Sequence, residues 1–93
     1  MIFDFKNYRS YLEHVFTRAG VRSGIKSKFS KTAGIKNSFL SLVLADKAHL
    51  SMEQAERANL FFNHNEEESH YFLLMVQKAR AGTHTLKTYF DRQ

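Results

Sequence analysis

A chain of 93 residues suits one domain with a single core and little stability to spare. It has no cysteine, which excludes disulfides and thiolate metal sites, and no proline and only four glycines, which favours an all-helical fold. The net charge is +5, but residues 1–13 sum to zero and residues 46–93 to −1, so the whole excess falls in residues 14–45. There Arg18, Arg22, Lys26, Lys28, Lys31 and Lys36 meet no acidic residue, a local field of the kind that attracts polyanions.

Taken in chain order, Asp4 is expected to cap a first helix whose apolar residues Phe5, Tyr8, Leu12, Val15 and Phe16 recur at three- and four-residue steps, with Tyr11 widening the stripe. Gly20 ends that helix and residues 21–24 form a short polar connection. Helix two runs from Ile25 or Lys26 to Ala33, with Ile25, Phe29 and Ala33 inward and Lys26, Lys28, Ser30 and Lys31 outward. Gly34 turns the chain, Ile35 plugs the corner, and helix three opens at Lys36 or Asn37 and closes near Ala45. After a turn at residues 46–48, Leu50 is the next core contact.

Helix four starts at Ser51, where Ser51 and Gln54 have the spacing of a capping box, and buries Met52, Ala55, Ala58, Phe61 and Phe62. Asn63, His64 and Asn65 break it. Asn65 and Glu68 form a second capping box, with Glu66, Glu67 and Glu68 where the helix dipole favours anions. Helix five runs to Ala79 or Arg80. Its centre, YFLLMV, is apolar nearly all round, so more than one face should be covered. Beyond Gly82, Leu86, Tyr89 and Phe90 make a short apolar face.

The longest apolar run, Tyr71 to Val76, is far below the roughly 18 residues of a membrane span, and the start MIFDFKNYR lacks the pattern of a signal peptide. A cytoplasmic protein without a membrane partner is the expectation. Enzyme signals are weak: there is no phosphate-cradling glycine loop, nucleophile elbow or HExxH. The stretch HNEEESH, His64 to His70, reads more simply as a capped helix start than as a metal site, which needs three or four convergent ligands. No catalytic residue, cofactor or metal is expected.

The informative stretch is KFSKTAGIKNSFLSLVLADK. Ala33 supplies a small residue where two helices touch, Gly34 a turn and Ile35 an apolar plug, the three requirements of a helix-turn-helix that lays its second helix in the major groove. Leu40, Val43 and Leu44 should then face the core, leaving Lys36, Asn37, Ser38, Ser41 and Ala45 on or near the outer face, where Phe39 and Leu42 can also fall. Lys26, Lys28, Lys31 and Lys36 would contact phosphates, and Ser38 and Ser41 bases or phosphates. Asn37 is expected to cap helix three, with pairing to adenine as the alternative. Phe39 either packs under helix one or touches a thymine methyl, and the simpler alternative to an outer position for Leu42 is a half-buried core position. Helix three has no Arg or Gln, the strong base readers.

In the order Phe29, Ala33-Gly34-Ile35, Leu40, Val43, Leu50-Ser51, Ala55, residues 26–62 resemble the lambda-repressor-like (Cro/XRE-type) helix-turn-helix. Nearly the whole chain resembles the N-terminal part of a bacterial paralogous family of transcriptional regulators, through IFDFKNYRSYL at 2–12, AGIKNSFLSLVLADKAHLS at 33–51 and EEESHYFLLMVQKARAG at 66–82. The resemblance implies a transcription regulator with a DNA-binding N-terminal domain, followed in that family by a large C-terminal region before which this chain stops. The expectation is therefore one domain over 1–93, all-α with five to six helices, its helix-turn-helix core at about 25–62, partnered by double-stranded DNA. Residues 65–93 would serve as a dimerisation or docking element. The alternative is a protein-interaction module that keeps the fold with little DNA binding. Its interface would use Phe39, Leu42, Tyr71, Leu74, Leu86, Tyr89 and Phe90, for a homodimer or another protein partner.

Overall fold

The computed structural model describes residues 1–81, and these are all-helical, without strands. A 3-10 turn at Ile2–Asp4 precedes α1 (Tyr8–Ala19), and a second at Val21–Ser23 leads into α2 (Ile25–Ala33). Then follow α3 (Asn37–Leu44), α4 (Met52–Phe62) and α5 (Glu66–Arg80). Among the described residues no helix is long and apolar enough to cross a membrane. The expected tail face of Leu86, Tyr89 and Phe90 lies outside the described residues.

Helix ends follow local chemistry closely. Ser51 and Asn65 each head a reciprocal capping box, with Gln54 and Glu68 answering. Three other ends share one hydrogen-bond pattern. Ile35 N donates to Ser30 O at 2.9 Å, Lys47 N to Leu42 O at 2.9 Å, and His64 N to Asn59 O at 3.1 Å. In each, the residue just before that donor (Gly34, Asp46 or Asn63) is left-handed, with φ of 75°, 62° and 55°. Gly, Asp and Asn are the residues that tolerate this conformation, and the loop closes carbonyls that a helix end leaves open. The expected cap of α1 is corrected. Asn7, not Asp4, receives the N–H of Ser10 at 2.8 Å, while Asp4 sits in the preceding turn and pairs with the chain's amino group at 3.3 Å. Phe5 accordingly precedes α1, though it still packs on the core.

The core is aromatic at its centre. Phe29 of α2 is fully buried among Phe16 of α1 and Phe61 and Phe62 of α4, at ring separations of 5.4, 5.4 and 5.5 Å. Phe72 of α5 meets Tyr8 and Tyr11 of α1. Leu12, Leu40, Val43, Leu50 and Val76 fill the space between. Ser30, expected to face out, is 3 % exposed: α2 is packed by α1, α3 and α4, so its buried arc is wider than the Ile25, Phe29, Ala33 line. The Ser30 hydroxyl has no hydrogen-bond partner among the described residues.

Buried polar ends are otherwise paired. Tyr8 Oη lies 3.1 Å from His49 Nδ1 and accepts the N–H of Leu50 at 3.2 Å, while Arg80 donates to the Leu50 carbonyl at 3.0 Å. Tyr11 Oη lies 2.8 Å from His64 Nε2, and His64 Nδ1 lies 2.7 Å from Asn59 Oδ1. The Asn59 amide donates to Ser69 O at 3.3 Å, so its oxygen faces His64 and accepts a proton carried on Nδ1. Burial raises the pKa of both tyrosines and lowers that of His64 from its ordinary 6.5, the last partly opposed by the charge of Glu68.

The sign of this linkage is fixed. The unfolded chain takes up the His64 proton before the folded one, so the contribution is intact above about pH 6.5 and is lost as the pH falls towards the folded-state value. Urea midpoints measured from pH 7.5 down to 5 should decline, and His64→Gln should flatten that decline; equal slopes in the two proteins would refute the assignment.

Candidate nucleic-acid interface

The acid-free third of the chain covers the end of α1, all of α2 and α3, and the turns between them. Phe29 and Ala33 point α2 into the core, which leaves Lys26, Lys28 and Lys31 exposed along its outer side. Lys36 is exposed at the position before α3, and Arg18 and Arg22 are exposed at the approach to α2. Among the described residues the ion pairs join Met1 to Asp4, Arg9 to Glu13 and Arg57 to Glu53, so none of these six cations is neutralised.

Helix α3 divides sharply. Leu40 and Val43 are buried and Leu44 is half-buried, as its spacing from Ile35 predicts. Asn37, Ser38, Ser41, Leu42 and Ala45 are exposed. Phe39 is half-buried and packs on the core. For Leu42 the spacing allows either the outer face or a half-buried core position; at 45 % exposed it stands on the outer face. Asn37 does not cap. Lys36 occupies that position without a side-chain hydrogen bond, and the Asn37 amide reaches back to Ser27 Oγ on α2 at 3.5 Å. Ser41 Oγ donates to the Asn37 carbonyl at 3.2 Å, which leaves its lone pairs outward.

Two contributors lay beyond sequence reasoning. Arg57 of α4 donates to the Ala33 carbonyl at 3.5 Å and covers the α2–α3 turn; it closes from the side a corner that Gly34 closes along the chain. Nothing local signals this, because the partner is 24 residues away. Lys47 is exposed just past α3, so with Lys36 it brackets the helix with cations at both ends.

The expected interface residues on α5 sit elsewhere. Tyr71 and Leu74 are half-buried, and the Tyr71 hydroxyl donates to the Phe5 carbonyl. With Phe3, whose ring meets Tyr71 edge-on at 5.2 Å, they line a cleft rimmed by Glu66, Glu67 and His70. Another cleft, between the start of α1 and the end of α5, presents Lys6, Arg9, His49 and Lys78 around Asp46. Among the described residues no three His, Asp or Glu side chains converge as metal ligands, and both ring nitrogens of His64 face protein partners.

No protein-family model, no curated protein and no solved structure matches the chain.

Glycine is required at the corner between α2 and α3 for two reasons. Most side chains are strained at φ 75°, and a Cβ would stand 2.7 Å from the Arg57 guanidinium, which must then move off the Ala33 carbonyl. At Gly24, φ is 68° and the space is open. Chemical denaturation should therefore show Gly24→Ala costing about 1 kcal/mol and Gly34→Ala about 2 kcal/mol; equal losses would mean that the Arg57 contact adds nothing.

Proposed function

We propose that this chain is a DNA-binding transcriptional regulator of the lambda-repressor-like helix-turn-helix type. In this reading α3 is laid towards the major groove and the lysines of α2 and Lys36 rest on phosphates. The observation that carries it is the acid-free cation set along α2 and at the position before α3, unpaired among the described residues, on two helices joined at a left-handed glycine, with a solvent-facing side of α3 that is uncharged. Phosphates are held by Lys as a point charge, without the planar fork of Arg, so most of the affinity is electrostatic and falls with salt. Asn37, Ser38 and Ser41 supply few base contacts. A single copy then binds weakly, and sequence selectivity calls for two copies with their α3 helices about 34 Å apart.

The test is retention of a random-sequence duplex across a salt series. The slope of log affinity against log salt should be steep and negative, and Lys26→Glu with Lys31→Glu should make it shallower by about two and abolish retention near physiological salt. Both side chains are exposed, so the helical circular dichroism should be unchanged. Unchanged retention in the double variant defeats the proposal.

A protein-docking role is the second reading. It is favoured by Leu60, 79 % exposed on α4, and by the apolar cleft of Phe3, Tyr71 and Leu74. Apolar surface of that kind on a small domain marks an interface. Sedimentation at rising concentration should then show a dimer that Leu74→Glu dissociates; a monomer throughout removes the homodimer form of this reading.

A further inference from the structure

Resting on the DNA-binding reading, we infer that the outer face of α3 recognises thymine methyl groups through Leu42, and so selects A·T-containing major-groove sequence.

Ser38, Ser41, Leu42 and Ala45 recur at the steps of three and four that align residues on one helical face, and all four are exposed. The centre of that face is therefore a leucine side chain, a methyl and two hydroxyl-bearing methylenes, without a charged group. In the major groove each base pair is distinguished by its donors and acceptors, and thymine alone adds a methyl. Guanine is read by the paired donors of Arg or by Lys, and no such side chain lies on this face. Lys36 and Lys47 stand at its two ends, placed for the phosphates on either side. An apolar centre between terminal cations suits a surface that is charged at its edges and carries methyls in its floor, as a thymine-bearing groove does.

The edge of the face agrees. Asn37 is released from capping, and its amide keeps an oxygen and a second N–H beyond the bond to Ser27. That is the donor–acceptor pair that matches adenine N6 and N7. The Ser38 hydroxyl bonds no described residue, so it is open to thymine O4 or a phosphate. Leu42 also escapes the usual explanation for an apolar residue on a helix. Its neighbours Leu40 and Val43 fill the core without it, and its exposed position leaves its own burial to a bound molecule.

The experiment begins with selection of bound duplexes from a random pool, followed by anisotropy titration of a selected duplex and its copy with thymine replaced by deoxyuridine. The copy keeps every hydrogen-bonding group and the backbone, and lacks only the methyls. The expected result is thymine at two or more adjoining selected positions, and affinity lower by about fourfold for each contacted methyl removed. Leu42→Ala should reduce that thymine–uracil ratio to no more than about twofold, and Leu42→Met should preserve the ratio. Equal affinity for the two duplexes, a selected site without thymine, or a ratio that survives Leu42→Ala overturns the inference and leaves phosphate binding standing. No retention on any duplex at low salt overturns the DNA reading with it, and makes the Leu42 face a docking surface for protein.

Discussion

Phe29 decides which way the basic helix faces. Its ring is enclosed by three others from α1 and α4, and turning α2 about its axis would expose it and leave a hole between those rings. Losing a buried phenylalanine costs about 3–5 kcal/mol, far more than any surface lysine can recover. The positions of Lys26, Lys28 and Lys31 in solvent are thus a consequence of apolar packing on the opposite side. Ala33 on α2, with Ala55 and Ala58 on α4, leaves room for the two backbones to approach where larger side chains would hold them apart.

The second constraint is the need to satisfy polar ends inside an aromatic core. Tyr8 and Tyr11 bring large apolar rings inward, but each carries a hydroxyl whose burial without a partner costs about 1–3 kcal/mol. Both are answered by histidines far along the chain, His49 and His64. The Tyr8 bond also reaches the backbone of Leu50, whose side chain is buried and whose carbonyl takes Arg80. The loop between α3 and α4 is therefore held at its amide, its carbonyl and its side chain at once. That fixes where α4 begins, and with it the place from which Arg57 reaches the corner ahead of α3.

What could be read from the letters was punctuation and periodicity. Gly20, Gly34, Asn63 and the capping boxes at Ser51 and Asn65 mark their helix boundaries because each acts within four residues of itself. The periodic sets Phe29 and Ala33, Leu40 and Val43, and Ala55 and Ala58 are buried as their spacing implies. The failures have a common cause. Asp4 and Asn7 are both good caps, and α1 starts after the second of them, with Ile2 buried in the turn ahead. Ser30 is polar by composition but enclosed by three helices. Asn37 is released from capping by Ser27, ten residues away, and Leu42 stays outside because Leu40 and Val43 already occupy the space against α1 and α2. Each outcome depends on a neighbour that sequence distance conceals.

These constraints bear directly on the candidate interface. Charge alone would draw the chain to any polyanion, and point-charge lysines do little to choose among sequences. In the proposed DNA-binding role selectivity would have to come from α3, a helix of eight residues clamped at both ends: at its start by the Gly34 corner under Arg57, at its end by the left-handed Asp46. A clamped helix presents its outer groups in one fixed geometry, so little entropy is lost when they meet a groove. Rigidity cannot supply contacts that are absent, however. The outer face offers two hydroxyls, one amide and apolar carbon, and the only large apolar group among them is Leu42. If the chain binds DNA as proposed, discrimination by one copy of α3 would therefore be governed by the fit of that leucine, with electrostatics setting how tightly the pair is held while the fit is tried.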